Sequence, residues 1–144
     1  PVEHVDRLVP MGELVDAASQ VDAIITTLPG TEHTAGLIGA DVLGAARDDT
    51  ILVNVGRGTV VDEPALLDAL DAGRIGFAAL DVTAVEPLPT DSRLWGHPSV
   101  LLSPHTAALS MQEPRRIAEL FAANATRLLD GQPLQNVMST KEFY

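Results

Sequence analysis

At 144 residues the chain is long enough for one domain with a real core, and with 46% hydrophobic but only 3% aromatic residues that core is aliphatic. A formal charge of −11 argues against a nucleic acid or an anionic membrane surface as partner. The absence of cysteine excludes disulfides and thiolate chemistry, no apolar run reaches the ~18–20 residues of a membrane helix, and no signal peptide is visible, so a cytoplasmic location is expected.

Val5 to Val9 reads as a short strand closed by Pro10, and Met11 to Gln20 as a helix with Leu14, Val15 and Ala18 on one face. The apolar run Val21 to Leu28 reads as a buried strand stopped by Pro29-Gly30. Thr31 to Arg47 reads as helix in two pieces, broken near Gly39. Asp48-Asp49 turns the chain into a strand from Thr50 to Val55. The stretch Asn54-Val55-Gly56-Arg57-Gly58 follows, a tight turn whose two glycines let the backbone bend and lie close to a ligand. Asp62, Glu63 and Pro64 then signal a helix start, and the helix to Asp71 ends at Gly73. Gly76 to Val82 is another buried strand, Glu86-Pro87-Leu88-Pro89 an irregular loop, and Val100 to Ser103 a last strand broken by Pro104. Ser110 to Asp130 has the spacing of a long amphipathic helix ending at Gly131.

Strands alternating with helices predict a parallel sheet with right-handed crossovers. In such sheets ligands bind beyond the carboxyl ends of the strands. Four strand ends bring Leu28-Pro29, Arg57, Asp81 and His105 to that rim. The remaining histidines, His4, His33 and His97, lack metal-ligand spacing, so no metal is expected. Trp95 reads as a loop anchor, and Ser103 has no base and acid around it that would make it a nucleophile.

Three blocks in this order resemble the NAD(P)-dependent D-isomer-specific 2-hydroxyacid dehydrogenases, the family that includes glyoxylate/hydroxypyruvate reductases and phosphoglycerate dehydrogenases. They are Asn54 to Gly58 with Val61-Asp62-Glu63, Leu80-Asp81-Val82 with Glu86-Pro87-Leu88-Pro89, and Leu102-Ser103-Pro104-His105-Thr106-Ala107. The resemblance implies an oxidoreductase moving a hydride between NAD or NADP and a small 2-oxo or 2-hydroxy acid. It makes Arg57 the substrate-binding residue, for which a planar guanidinium fork is suited. His105 becomes the proton donor, also touching substrate, and Glu86 its partner. Asp81 would accept a hydrogen bond from the nicotinamide carboxamide, while Leu28, Pro29, Thr34, Val55 and Gly56 would line the cofactor. A second reading, from another class, is a dinucleotide-sensing module like the corepressors that share this fold, and a third is an inactive fragment.

The resemblance covers the C-terminal part of the family's pattern. There is no Gly-x-Gly-x-x-Gly turn for a pyrophosphate, and the chain opens at Pro1 rather than Met. The expected fold is therefore α/β, part of a doubly wound, Rossmann-like sheet lacking its first two strands. Residues 1–117 are expected to be the latter portion of an NAD(P)-binding domain, and 118–144 a helix and tail returning to a substrate domain. Val21 to Leu28 would present a raw sheet edge, which predicts pairing with a missing N-terminal half or with a second copy in a homo-oligomer, as a dimer.

Overall fold

The computed structural model describes residues 3–139, in two compact units that divide between His105 and Thr106. Residue 117 lies within a helix of the second unit. The first unit is built on four parallel strands lying side by side in chain order: β1 (Ala23–Thr26), β2 (Ile51–Asn54), β3 (Phe77–Leu80) and β4 (Val100–Leu102). Each apolar run from Val21 onward that was read as a strand supplies one, because Pro29-Gly30, Gly76 and Pro104 punctuate them. The strands are shorter than the runs. β1 pairs only from Ala23 to Thr26, opposite Ile51 to Asn54, since beyond it the backbone of Thr27 and Leu28 lies hard against Gly56.

Short helices fill the connections. α1 (Leu14–Ala18) follows a 3-10 turn at Met11–Glu13, so the helix read from Met11 to Gln20 exists in two tighter pieces. α2 (Ala40–Ala45) lies between β1 and β2, and α3 (Glu63–Asp71) between β2 and β3. α3 starts where the sequence signals it: Asp62 Oδ1 accepts the Ala65 N–H at 3.1 Å, and Pro64 occupies the first turn. It ends before Gly73, whose φ of +67° suits a residue without Cβ.

Two expectations fail. Val5 to Val9 is exposed and forms no strand, because no described strand lies beside it to complete a ladder. The first piece of the helix read over Thr31–Arg47 is a series of turns. There the Thr34 hydroxyl binds the local backbone and the Thr31 hydroxyl, competing with a helical ladder.

Register shows how the sheet is used. The rows Ile24–Leu52–Ala78–Val100 and Thr26–Asn54–Leu80–Leu102 face α2 and α3 and build the core with Leu43, Leu66, Ile75 and Leu94. The row between them, Ile25–Val53–Ala79–Leu101, points the other way and is equally apolar. Its end members are 64% and 57% exposed. Parallel sheets ordinarily have both faces covered. Among the described residues, one face of this sheet is covered.

The second unit is organised by α4 (Glu113–Leu129), whose first turn holds Pro114 and which ends at Asp130 before Gly131, at φ +69°. The chain after it folds back on the helix: Asn124 exchanges two hydrogen bonds with Gln135, at 3.1 and 2.8 Å, and Arg127 Nε donates to the Pro133 carbonyl. Among the described residues no helix is long and apolar enough to cross a membrane.

Candidate active site

The carboxyl ends of the strands carry the site. At the end of β2, Asn54 is buried and ties the end of β1 to the turn beside it. Its Oδ1 accepts from Thr26 Oγ1 (2.7 Å) and from the Gly56 N–H (3.1 Å), while its Nδ2 donates to the Arg57 carbonyl (3.0 Å). An amide side chain can do this because it both donates and accepts. Asn54 therefore shapes the turn that carries Arg57, a role its sequence position did not disclose.

The glycines beside Arg57 serve close packing of backbone on backbone. A Cβ on Gly56 would lie 2.6 Å from the Leu28 carbonyl oxygen, and one on Gly58 would lie 1.9 Å from the carbonyl carbon and oxygen of Thr83. Neither has positive φ; what they were expected to offer a ligand, they offer to neighbouring loops. Arg57 is thus held between the loop after β1 and the loop after β3. Its exposed guanidinium donates through Nη1 to the Gly56 carbonyl at 2.8 Å and, among the described residues, makes no ion pair.

β3 ends at Asp81, which is 7% exposed and accepts a 2.6 Å hydrogen bond from Ser103 Oγ. Its own carbonyl accepts the His105 N–H at 2.9 Å, so the loop after β4 is stitched to the end of β3. His105 has φ +55°, in the left-handed region that few residues with a Cβ adopt. Held there, its Nδ1 lies 2.9 Å from Glu86 Oε2. The other oxygen of Glu86 accepts the Thr83 N–H at 3.0 Å.

The hydrogen bond from His105 holds the Glu86 carboxyl below the ordinary glutamate range, aided by the Thr83 N–H and more weakly by the charges of His105 and Arg57; its slight burial opposes them. Facing an ionised Glu86, Nδ1 is the donor of the pair, which leaves Nε2 as the ring nitrogen that Glu86 does not engage.

Two cavities share these residues. One, of about 300 Å³, is lined by Arg57, Gly58, Thr59, Glu86 and His105 among others. The other, of about 500 Å³, joins Asp81, Glu86 and His105 to the apolar walls of Leu88, Trp95 and Leu102. Trp95 also anchors its loop, donating from Nε1 to the Pro89 carbonyl at 2.9 Å. Leu28, Pro29, Val55 and Gly56 stand at the ends of β1 and β2, outside both cavities. Thr34 is outside them too, with its hydroxyl engaged by the Pro29 carbonyl at 2.6 Å and by the Thr31 N–H at 2.9 Å. His97 has a structural place: Nδ1 accepts the Ser99 N–H and Nε2 reaches Asp71.

Residues 2–107 match the family model described as D-isomer specific 2-hydroxyacid dehydrogenase, NAD binding domain. The chain belongs to this family. It is 37% identical over 130 residues to a glyoxylate/hydroxypyruvate reductase A of Salmonella newport, an alignment that covers 90% of this chain and 41% of the relative. The fold matches a solved family member from Xanthobacter autotrophicus Py2, determined with NADPH and MES, at a TM-score of 0.85 and 37% identity, over 92% of this chain and 54% of that one. An NADPH-dependent glyoxylate/hydroxypyruvate reductase of Sinorhizobium meliloti, solved with NADP and sulfate, superposes at 0.84 with 30% identity, over 92% and 43% of the two chains. The chain thus spans about two fifths of the length of the curated relatives it matches. Within the family's terms the four parallel strands are a Rossmann-like dinucleotide-binding sheet, as the alternation of strands and helices implied.

Proposed function

We propose that this chain is the part of a D-specific 2-hydroxyacid dehydrogenase that carries its acid–base pair and its anion-binding arginine. The observation that supports the reading best is the smaller cavity, where Arg57 and the His105–Glu86 pair line one space with room for a small 2-oxo acid. Arg57 binds the carboxylate and the 2-oxo oxygen through guanidinium N–H groups. His105, oriented through Nδ1 by Glu86, gives the proton on Nε2 to that oxygen in reduction and takes it back in oxidation. NAD or NADP supplies or accepts the hydride when bound. The chain's residues fit such a cofactor: Asp81 is a buried acceptor on a largely apolar cavity, suited to an aromatic carboxamide, with Leu28, Pro29, Val55 and Gly56 lining the dinucleotide further along the rim. Thr34 contributes by holding the Pro29 loop in shape. The names of the relatives point to glyoxylate and hydroxypyruvate as the acids to try first.

Oxidation of NADH and NADPH with glyoxylate, hydroxypyruvate and pyruvate tests the reading. Arg57→Ala is expected to lower kcat/KM about 10²-fold, mostly through KM, because one charged two-point contact is lost. Equal turnover by the variant would overturn the assignment of Arg57. Dinucleotide binding without turnover on any acid would favour the sensing module instead.

The exposed row Ile25–Val53–Ala79–Leu101 and the outer edge of β1 support a second element of the reading, that this chain is covered by further polypeptide of the kind its relatives possess or by a second copy of itself. Sedimentation of the chain should show association that Ile25→Lys abolishes. A monomer at high concentration with both sequences would sink the second-copy form of this proposal.

A further inference from the structure

The loop from Thr83 to Glu86 holds half of the acid–base pair, yet it is neither helix nor strand. Two of its hydrogen bonds are internal: Thr83 N–H to Glu86 Oε1, and Thr83 Oγ1 to the Val85 carbonyl at 2.9 Å. These shape the loop without locating it on the fold. Two other contacts locate it. Gly58 backs the peptide between Thr83 and Ala84, and the Ala84 N–H donates to Oε1 of Glu63 at 2.5 Å.

Glu63 is the first residue of α3, half-buried, and its carboxylate is not needed as a cap, because Asp62 already accepts the Ala65 N–H. It spans 21 residues of sequence to reach the loop. The helix behind it is fixed by Leu66, Ala69 and Leu70 in the core. A short bond from a backbone N–H to a carboxylate is among the stronger contacts such a loop can make. We infer that Glu63 is a positioning residue: by holding the Ala84 N–H it sets the Thr83–Glu86 loop where the Glu86 carboxylate meets His105 Nδ1. Any consequence for turnover rests on the dehydrogenase reading, but the geometry does not.

The test is therefore read on Glu86 itself, by a carbon-13 NMR titration of its carboxyl in this chain. The charged groups around it are His105, Arg57 and Glu63. Glu63→Ala is expected to shift the Glu86 midpoint upward, toward the ordinary glutamate value, as the loop drifts and the contact with His105 loosens. Glu63→Gln is expected to leave the midpoint in place, since its amide oxygen accepts the same N–H. Asp71, at the far end of α3 and held low chiefly by Arg93, should not move in either variant, which separates loop positioning from general loosening of the fold.

An unchanged Glu86 midpoint in Glu63→Ala overturns the inference. So does a Gln variant displaced upward as far as the Ala variant, because loss of the acceptor for the Ala84 N–H would then not be the agent. Should Glu63→Ala fail to fold, amide exchange in the unaltered protein decides: an Ala84 N–H exchanging as fast as open coil is incompatible with the proposed bond, and a protected one supports it. A chain without turnover on any acid would leave all of these outcomes readable.

Discussion

Gly58→Ala lowers the melting temperature of the chain by on the order of 10 °C and parts Arg57 from the Glu86–His105 pair. The added methyl would sit 1.9 Å from Thr83 backbone atoms and 2.4 Å from the Ala84 nitrogen, where ordinary contact begins near 3.4 Å. Something must move by about 1.5 Å, and both sides are backbone with no flexible side chain to yield. Inserting a carbon into so tight a place costs about 3 kcal/mol, the upper end of ordinary overpacking, which for a chain of this size corresponds to that drop in melting temperature. The Thr83–Glu86 loop gives way more easily than the Asn54 network on the other side, so the displacement falls on Glu86. Circular dichroism melts measure the first effect and the Glu86 titration the second. Gly44→Ala is the contrasting substitution. It lies inside α2, its nearest obstacle is the end of the Arg74 side chain at 3.6 Å, and a methyl there should stabilise by about 0.5–1 kcal/mol through helix propensity. If both variants melt alike, the close approach at Gly58 is not what holds the two loops together.

The parts of this architecture that were legible in the sequence are those governed by local rules. Apolar runs bounded by proline and glycine mark β1 to β4, and Asp62, Pro64 and Gly73 bracket α3 because caps and turns are set by neighbours a few residues away. Arg57, Asp81 and His105 could be placed on one rim for the same reason, since strand ends follow from strand positions. Other features depend on which segments meet in space. Nothing in the spacing of Glu63 and Ala84 announces that they bond, and the two glycines beside Arg57 look the same in sequence whether a ligand or a loop approaches them. Asn54 was part of a recognised block, but one of its three hydrogen bonds reaches Thr26 at the end of β1, 28 residues away, while the other two hold the turn beside it. Val5 to Val9 misled because its pattern is right for a strand and only a neighbouring strand would make it one. The turns at Thr31 to Ala35 misled because the Thr34 hydroxyl offered the backbone partners that a helix would otherwise provide.

His105→Asn should lower kcat about 10³-fold while leaving KM nearly unchanged, measured in the reduction of whichever acid is turned over best. Asparagine is the informative replacement because it tolerates the left-handed backbone that His105 adopts, at φ +55°, so the loop can keep its course. What disappears is the group proposed to protonate the forming hydroxyl, and general acid catalysis of this kind contributes about 10²–10⁴-fold. Substrate binding, assigned to Arg57, is untouched, and a fall shared equally by KM would return the proton-donor role to another residue. Glu86→Gln should cost less, because an amide oxygen can still accept the Nδ1–H but brings no charge.

The pH dependence has a definite sign. The Glu86 carboxyl is held below its ordinary range in the folded chain, so the pair's contribution is fully present above the unfolded carboxylate range and is lost as pH falls through the depressed folded value. With the side chains of His105 and Glu86 48% and 40% exposed, water screens the pair and its share of global stability is small. Its value lies in orientation: while Glu86 stays ionised, Nδ1 remains the donor to it and Nε2 remains the nitrogen left for the proposed proton transfer. Wild-type protein brought below the depressed Glu86 value should therefore show the His105 ring resonances that Glu86→Gln shows at the same pH. Ring resonances that already coincide between the two proteins above that value, where Glu86 is ionised, would mean that Glu86 does not hold the ring.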